Sequence, residues 1–226
     1  MEPSDRITGG FEIVPAVLDQ EEIRDVATSL EEGGLERSRA GARHLMRYPI
    51  VQQVARDPRL IAVAARFLGP SPIPFRATLF DKSPKNNWLV VWHQDTALPL
   101  RERRDVSGWG PWSVKAGTTY AHAPAGALSR VIALRLHIDE SGSDNGPLRV
   151  LPGTHTRGVM SDAEVGQLAR DVLGVDCISP AGGVVAMRPL LVHGSSKAET
   201  DRRRRVLHIE YADSLEMGDG LELAIA

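Results

Sequence analysis

The spacing of apolar residues changes character near residue 70. Before it, two stretches repeat at helical spacing. In QEEIRDVATSLEEGG, Asp19 and Glu22 stand at capping-box spacing and Gly33 and Gly34 supply the stop. In DPRLIAVAARFLGP, Asp57 is placed to cap, Pro58 takes the first helical position, and Gly69 and Pro70 end the run. From residue 73 onward, short apolar runs separated by Gly, Pro, Asn and Asp read as strands and turns: IPFRATLFDKS, NWLVVWHQD, VIALRLHIDE, GPLRVLPGTH, GGVVAMRPLLVHGSS and RRVLHIEYA. One helix interrupts them, SDAEVGQLARDVLG, opened by a capping box of Ser161 and Glu164. Helices first and many short strands later predict one α+β domain over residues 1–226, mainly β. Its helical part runs over about 15–70 and its sheet core over about 73–212, an antiparallel sheet closed or sandwiched with helices covering one face.

Alternation assigns faces. In VIALRLHID, Ile132, Leu134, Leu136 and Ile138 share one face, while Ala133, Arg135, His137 and Asp139 share the other. In RRRRVLHIEY, Leu207, Ile209 and Tyr211 oppose Arg204, Val206, His208 and Glu210. Each strand thus has an aliphatic face suited to packing under helices and a face rich in charge and imidazole. A solvated sheet surface has this pattern. So does a barrel whose interior is a ligand pocket.

Composition narrows the partners. Over 226 residues the net charge is −2, so no global positive field exists to attract nucleic acid or an anionic membrane. A single cysteine, Cys177, cannot form an internal disulfide, and MEPSDRITGGFEIV has no basic segment followed by an apolar run. With no apolar stretch approaching ~20 residues, the expectation is a soluble cytoplasmic protein.

The chemistry centres on VVWHQDTALPL, where His93 and Asp95 lie two residues apart at a strand end. Two imidazoles and a carboxylate on one side of an ion suit ferrous iron in oxygen chemistry. His193, at the end of another apolar run, is the best candidate for the third ligand. Spacing alone cannot single out this pair, because His137 and Asp139 form a second His-x-Asp, and either pair could be turn residues.

WHQDT, SGSDNGPLRVLPGTHTRG and HGSSKAETDRRRRVLHIEY, in that order, resemble the phytanoyl-CoA dioxygenase-like branch of the Fe(II)/2-oxoglutarate-dependent oxygenases, over residues 74–212. The resemblance implies a double-stranded β-helix, the cupin-like jelly roll, with helices packed on its major sheet. It also implies iron held by His93, Asp95 and His193, with the HID pair on a later strand. By the same resemblance, Arg204 and Ser195 hold the distal carboxylate of 2-oxoglutarate. A forked guanidinium is the natural partner for a carboxylate removed from water. Parity favours Arg204 or Arg202 over Arg203 and Arg205, which share the face of Leu207. The implied activity is hydroxylation of an unactivated C–H bond by dioxygen, with 2-oxoglutarate decarboxylated to succinate. Halogenating relatives lack the carboxylate that Asp95 provides.

Arg135 stands where related enzymes can place an aromatic residue, and is open to cosubstrate, substrate or a salt bridge with Glu210 or Asp139. Arg76, Thr78 and Lys82 line one strand face within reach of the cosubstrate. The stretch TALPLRERRDVSGWGPWSVKAG reads as an aperiodic loop suited to a lid. With His137, its Arg101, Trp109 and Trp112 and the following Lys115, Tyr120 and His122 are candidates for the substrate wall. Two other readings keep the barrel: a cupin-like metalloenzyme that does not use 2-oxoglutarate, and a non-catalytic binding barrel.

Overall fold

The computed structural model describes residues 8–36 and 41–226, so residues 1–7 of the stretch read above for a leader lie outside the described residues. In chain order the elements are β1 (Phe11–Val14), α1 (Gln20–Glu32), β2 (Gly41–Ala42), α2 (Pro49–Ala55), α3 (Pro58–Leu68), β3 (Ile73–Lys82), β4 (Val90–His93), β5 (Ala97–Leu100), β6 (Trp112–Lys115), β7 (Thr118–His122) and α4 (Ala125–Leu128). There follow β8 (Val131–His137), β9 (Leu148–Val150), α5 (Asp162–Asp171), β10 (Val175–Cys177), β11 (Val184–Met187), β12 (His193–Ser195), β13 (Arg204–Ala212), β14 (Glu216–Gly218) and β15 (Leu221–Glu222).

Two antiparallel sheets form the jelly roll. The major sheet has the order β1-β11-β8-β13-β3-β2 and the minor sheet β10-β9-β12-β4. The helical signals act as read. Asp19 Oδ1 accepts from the backbone N–H groups of Glu21 and Glu22, and the Glu22 carboxylate accepts from Asp19 N–H at 2.8 Å. Asp57 caps α3 through Arg59 N–H at 2.8 Å, and Ser161 and Glu164 cap α5 reciprocally.

α1 and α3 bury Ile23, Val26, Leu30, Leu60, Val63 and Phe67 against the outer face of the major sheet, where Leu79, Leu134, Leu136, Leu207 and Ile209 point. Each such side chain contributes ~1.5–3 kcal/mol on leaving water. The opposite face of β3, β8 and β13 turns inward, as alternation requires. It carries Arg76, Thr78, Phe80 and Lys82, then Arg135 and His137, then Arg204, His208 and Glu210. The registers Lys82↔Arg204, His208↔Arg135 and Arg76↔Glu210 set these charges side by side. The barrel interior is therefore polar on one wall, while Leu148, Val150, Val185, Met187 and Leu191 close its dry end.

Three expectations change. GGVVAMRPLLVHGSS is two strands, β11 in the major sheet and β12 in the minor one. The turn at Arg188–Leu191, closed by Leu191 N–H to Arg188 O, separates them. The run reads as one strand because both halves are buried and hydrophobicity never drops. The stretch over residues 96–117 is not an aperiodic loop. β5, β6 and β7 form a three-stranded sheet of order β5-β7-β6, packing Leu98, Leu100 and Ala121 under Trp109 and Trp112. Finally, α2 was not anticipated. It is short, with Pro49 at its first position and Val51, Val54 and Ala55 buried.

Candidate metal centre

β4 and β12 pair antiparallel with His93 directly opposite His193, their ring centroids 4.3 Å apart. Each imidazole is oriented by its own strand: His93 Nδ1 lies 2.8 Å from Val91 O and His193 Nδ1 2.9 Å from Leu191 O. A carbonyl only accepts, so Nδ1 carries the proton and each Nε2 presents a lone pair to the interior. Asp95 follows the strand end, its N–H donating to Pro189 O at 2.9 Å. Its carboxylate lies 3.7 Å from His93 Nε2 and 3.5 Å from His193 Nε2. One ligand atom from each of the three residues fits within 4.8 Å of the others.

The electrostatics suit a cation. Burial pushes the Asp95 carboxyl up, but neighbouring positive charge, of which the Arg76 guanidinium is the permanent part, outweighs it and holds Asp95 ionised well below the usual range. Burial lowers His193 to about 4 against the pull of Asp95, so it is neutral, the form that binds metal. Two neutral nitrogens and one carboxylate on one side of a point are the donor set that suits ferrous iron with sites left open.

A cavity of about 90 Å³ opens from the triad. Its far end carries Lys82, Arg135, Ser195 and Arg204, with Phe80 and Trp88 as walls. Lys82 Nζ donates to Ser195 Oγ at 2.6 Å and to Ser196 O, and Ser195 Oγ donates to Gly146 O at 2.9 Å. Arg204 Nε donates to Asn145 O at 3.2 Å. Arg204 Nη1 and Arg135 Nε are buried with no partner. Arg204, Lys82 and Arg135 are 3%, 1% and 7% exposed and none meets a carboxylate among the described residues. Burial first, then Arg204 and Arg135, push the Lys82 ammonium down to about 7, and burial with Arg135 lowers Arg204 to about 9. Buried donors without partners and cations without counter-ions leave this end short of an anion.

The neighbouring arginines are otherwise engaged. Arg202 pairs with Asp144, Arg203 with Asp81 and Glu31, and Arg205 with Asp139 and Glu31. Arg204 is thus the member of the run that faces the cavity. Arg135 lies at the same end, so the salt bridges considered for it do not form: Glu210 pairs with Arg76 and Asp139 with Arg205.

The family model described as phytanoyl-CoA dioxygenase (PhyH) matches residues 9–206. The chain belongs to the PhyH family. A curated relative, L-proline trans-4-hydroxylase of Streptomyces griseoviridis, is 22% identical over 188 residues, which cover 72% of this chain and 62% of that protein. The chain therefore spans under two thirds of that relative's length. Among solved structures, AviO1 from Streptomyces viridochromogenes Tue57 aligns with a TM-score of 0.66 at 23% identity, covering 91% of this chain and 90% of the other. HygX from Streptomyces hygroscopicus with nickel and 2-oxoglutarate bound aligns with a TM-score of 0.65 at 17% identity, covering 91% and 83%. At these identities the likenesses establish the jelly-roll fold.

Within this PhyH-family barrel a second chamber, of about 180 Å³, lies on the other side of Asp95 and Phe80. Arg43, Arg76, Thr78, Lys115, Tyr120 and His208 line it. Thr78 is therefore placed here, away from Arg204. Arg76 donates to Ala97 O at 2.8 Å and pairs with the buried Glu210, while Tyr120 shares a 3.0 Å hydrogen bond with His44.

The remaining candidates lie outside both chambers. Arg101 pairs with Glu222 at 2.9 Å, and Trp109 and Trp112 pack on the apolar cluster beneath β5 and β7. His122 shares a 2.6 Å hydrogen bond with Thr96 on the exposed side of the same sheet. His137 is on the inner face but fully buried, its Nδ1 3.3 Å from Gly183 O, and burial holds it near 3, hence neutral. Phe80 and Trp88 carry no motif and became visible only through the register of β3 and the fold of the turn after it. Arg43 had no sequence signal.

Proposed function

We propose that this PhyH-family protein is an Fe(II)- and 2-oxoglutarate-dependent oxygenase that hydroxylates a C–H bond of a small molecule. The balanced reaction takes substrate, dioxygen and 2-oxoglutarate to hydroxylated product, succinate and carbon dioxide. One observation carries it: a triad of two imidazoles and a carboxylate opens onto a cavity whose far end holds buried guanidinium N–H groups without partners.

The residues fit both groups. His93, Asp95 and His193 would hold the iron through two Nε2 lone pairs and a carboxylate oxygen. Arg204, Lys82 and Ser195 would take the distal carboxylate of 2-oxoglutarate, and Arg135 would add a second guanidinium beside it. Iron with 2-oxoglutarate supplies the activation of dioxygen for C–H oxidation. The protein's own contribution is to bind, orient and exclude. Val91 O and Leu191 O orient the two rings so that each Nε2 faces the metal position, Lys82 and Arg204 balance the anionic cosubstrate, and Phe80, Trp88 and Leu148 keep water from the cavity. The curated relative is by its name a hydroxylase, and HygX has been solved with 2-oxoglutarate bound, which is in keeping with this reading. A cupin-like enzyme without 2-oxoglutarate would leave the two guanidinium groups unanswered.

The test is twofold. Anaerobic addition of Fe(II) and 2-oxoglutarate should raise a charge-transfer band, and aerobic turnover should release succinate. His93→Ala should abolish both. Wild-type protein that shows neither band nor succinate would refute the proposal.

A further inference from the structure

The second chamber is a site in its own right. Its cations come from three separate places in the fold: Arg43 just after β2, Arg76 in the middle of β3 and Lys115 at the end of β6. Arg76 is neutralised by Glu210. Arg43 and Lys115 have no carboxylate partner among the described residues, whereas Arg47, Arg101 and Arg104 pair with Glu36, Glu222 and Glu102. Tyr120 stands between them. Lys115 Nζ lies 5.1 Å from its ring centroid and the Arg76 guanidinium 5.9 Å, and its hydroxyl is held by His44. The acid on the wall, Asp95, belongs to the metal triad. A divalent ion bound there would leave the chamber more positive still.

Resting on the oxygenase reading above, we propose that this chamber is the substrate site and that it selects a small molecule carrying an oxyanion, a carboxylate or a phosphate ester. Arg43 and Lys115 grip the anion at the mouth, and the rest of the molecule reaches past Thr78 and His208 toward the metal centre. The positions fit a substrate held by one end. Arg43 and Lys115 sit at the exposed rim, and the chamber reaches Phe80 and Asp95, which it shares with the cosubstrate cavity. Burial first, then Arg43 and Arg76, lower the Lys115 ammonium, as expected of a cation awaiting a counter-charge.

The test uses the whole chain loaded with Zn(II) and saturated with 2-oxoglutarate, and repeats it on metal-free protein. The probes, read by 19F NMR titration, are 4-fluorophenylacetate and 4-fluorophenyl phosphate, with 4-fluorophenylacetamide as the neutral control. The expected result is binding of at least one anion, little binding of the amide, and at least tenfold weaker anion binding in Arg43→Gln and in Lys115→Gln. Both side chains are exposed, so both variants should fold, and Arg101→Gln should bind as wild type does. The anion that binds more tightly names the group. Equal binding of the amide, or unchanged anion affinity in both variants, would overturn the proposal. Binding of 2-oxoglutarate is followed by calorimetry in the same samples. Its failure in wild type would count against the oxygenase reading alone, because the anion titration on metal-free protein is scored separately.

Discussion

His93 and His193 face each other across one rung of the β4–β12 pair, ring centroids 4.3 Å apart, and the carboxylate of Asp95 reaches both Nε2 atoms from the side. The pairing is a backbone fact, and the orientation of each ring is set by a backbone carbonyl. The triad is thus assembled by folding alone, and a ligand site that needs no rearrangement loses little ordering entropy on binding.

Removing one ligand should therefore cost metal affinity without unfolding the sheet. His193→Ala is expected to weaken Fe(II) binding by more than ~100-fold, since even changes beyond the directly coordinating residues cost ~10–100-fold. An anaerobic iron titration, with circular dichroism to show a retained fold, measures it. Near-wild-type affinity would remove His193 from the triad.

On the proposed reading, Lys82 should make cosubstrate binding pH-dependent. Burial, Arg204 and Arg135 lower its ammonium from 10.5 to about 7, so in the ligand-free protein it loses its proton as the pH rises through that value. The unfolded chain keeps the proton up to its ordinary value, so stability should rise between pH 7 and 10.5, where the unfolded state binds more protons. A carboxylate beside Lys82 restores the charged form. Binding of 2-oxoglutarate at pH 8 should then take up about one proton, and its affinity should fall roughly tenfold per pH unit above the free-protein value. Calorimetry in buffers of different ionisation enthalpy reads the uptake. Lys82→Met should abolish it, and an unchanged uptake in that variant would show that another group titrates.

Arg76 and Glu210 form the buried ion pair that joins β3 to β13 under the second chamber. Arg76→Met leaves Glu210, 1% exposed, without its counter-charge and should destabilise the fold by ~3–5 kcal/mol. The double variant Arg76→Met with Glu210→Leu should recover most of that loss, because it is the unpaired charge that is costly. Urea unfolding of the wild type, both single variants and the double variant tests this. A double variant no more stable than the single one would place the cost in packing or in the lost bond to Ala97 O.

Gly146 shapes the end of the cosubstrate cavity. It has φ +67°, and a Cβ there would lie 2.5 Å from Ser196 O and 3.1 Å from Lys82 Nζ. Gly146→Ala should cost at least ~1–3 kcal/mol for the left-handed backbone and the clash. It should also raise the KM for 2-oxoglutarate by displacing Lys82 and Ser195. Thermal unfolding and succinate kinetics should move together, and a change in stability with an unchanged KM would confine Gly146 to a structural part.

Elements whose information is local were legible from the residues. Asp19 with Glu22, and Ser161 with Glu164, announce helices because a cap is made within one turn of chain. The two faces of β8 and β13 follow from a period of two, so Arg135 with His137, and Arg204 with His208, could be set on one face opposite the aliphatic one, while that this face turns inward was decided by the closing of the barrel. The split of GGVVAMRPLLVHGSS could not, because burial in either sheet leaves the same apolar signature. The residues 96–117 hid two strands, β5 and β6, for the opposite reason. Their exposed positions, among them Val114 and Lys115, carry no alternation strong enough to stand out from a loop.

Chain order and residue type brought His93 and Asp95 together, since two residues at a strand end are neighbours by covalent geometry. They also set Arg204 on the inner face and Ser195 two residues beyond His193. Which His completes the triad, why Arg204 rather than Arg202 meets the cavity, and that Arg135 lies beside it were decided by pairing between strands far apart in sequence. Register is a global property, chosen by the burial of whole sheet faces. The same holds for the second chamber: Arg43, Arg76 and Lys115 share no pattern along the chain, and only the packing of β2, β3 and β6 around Tyr120 makes them one positive surface.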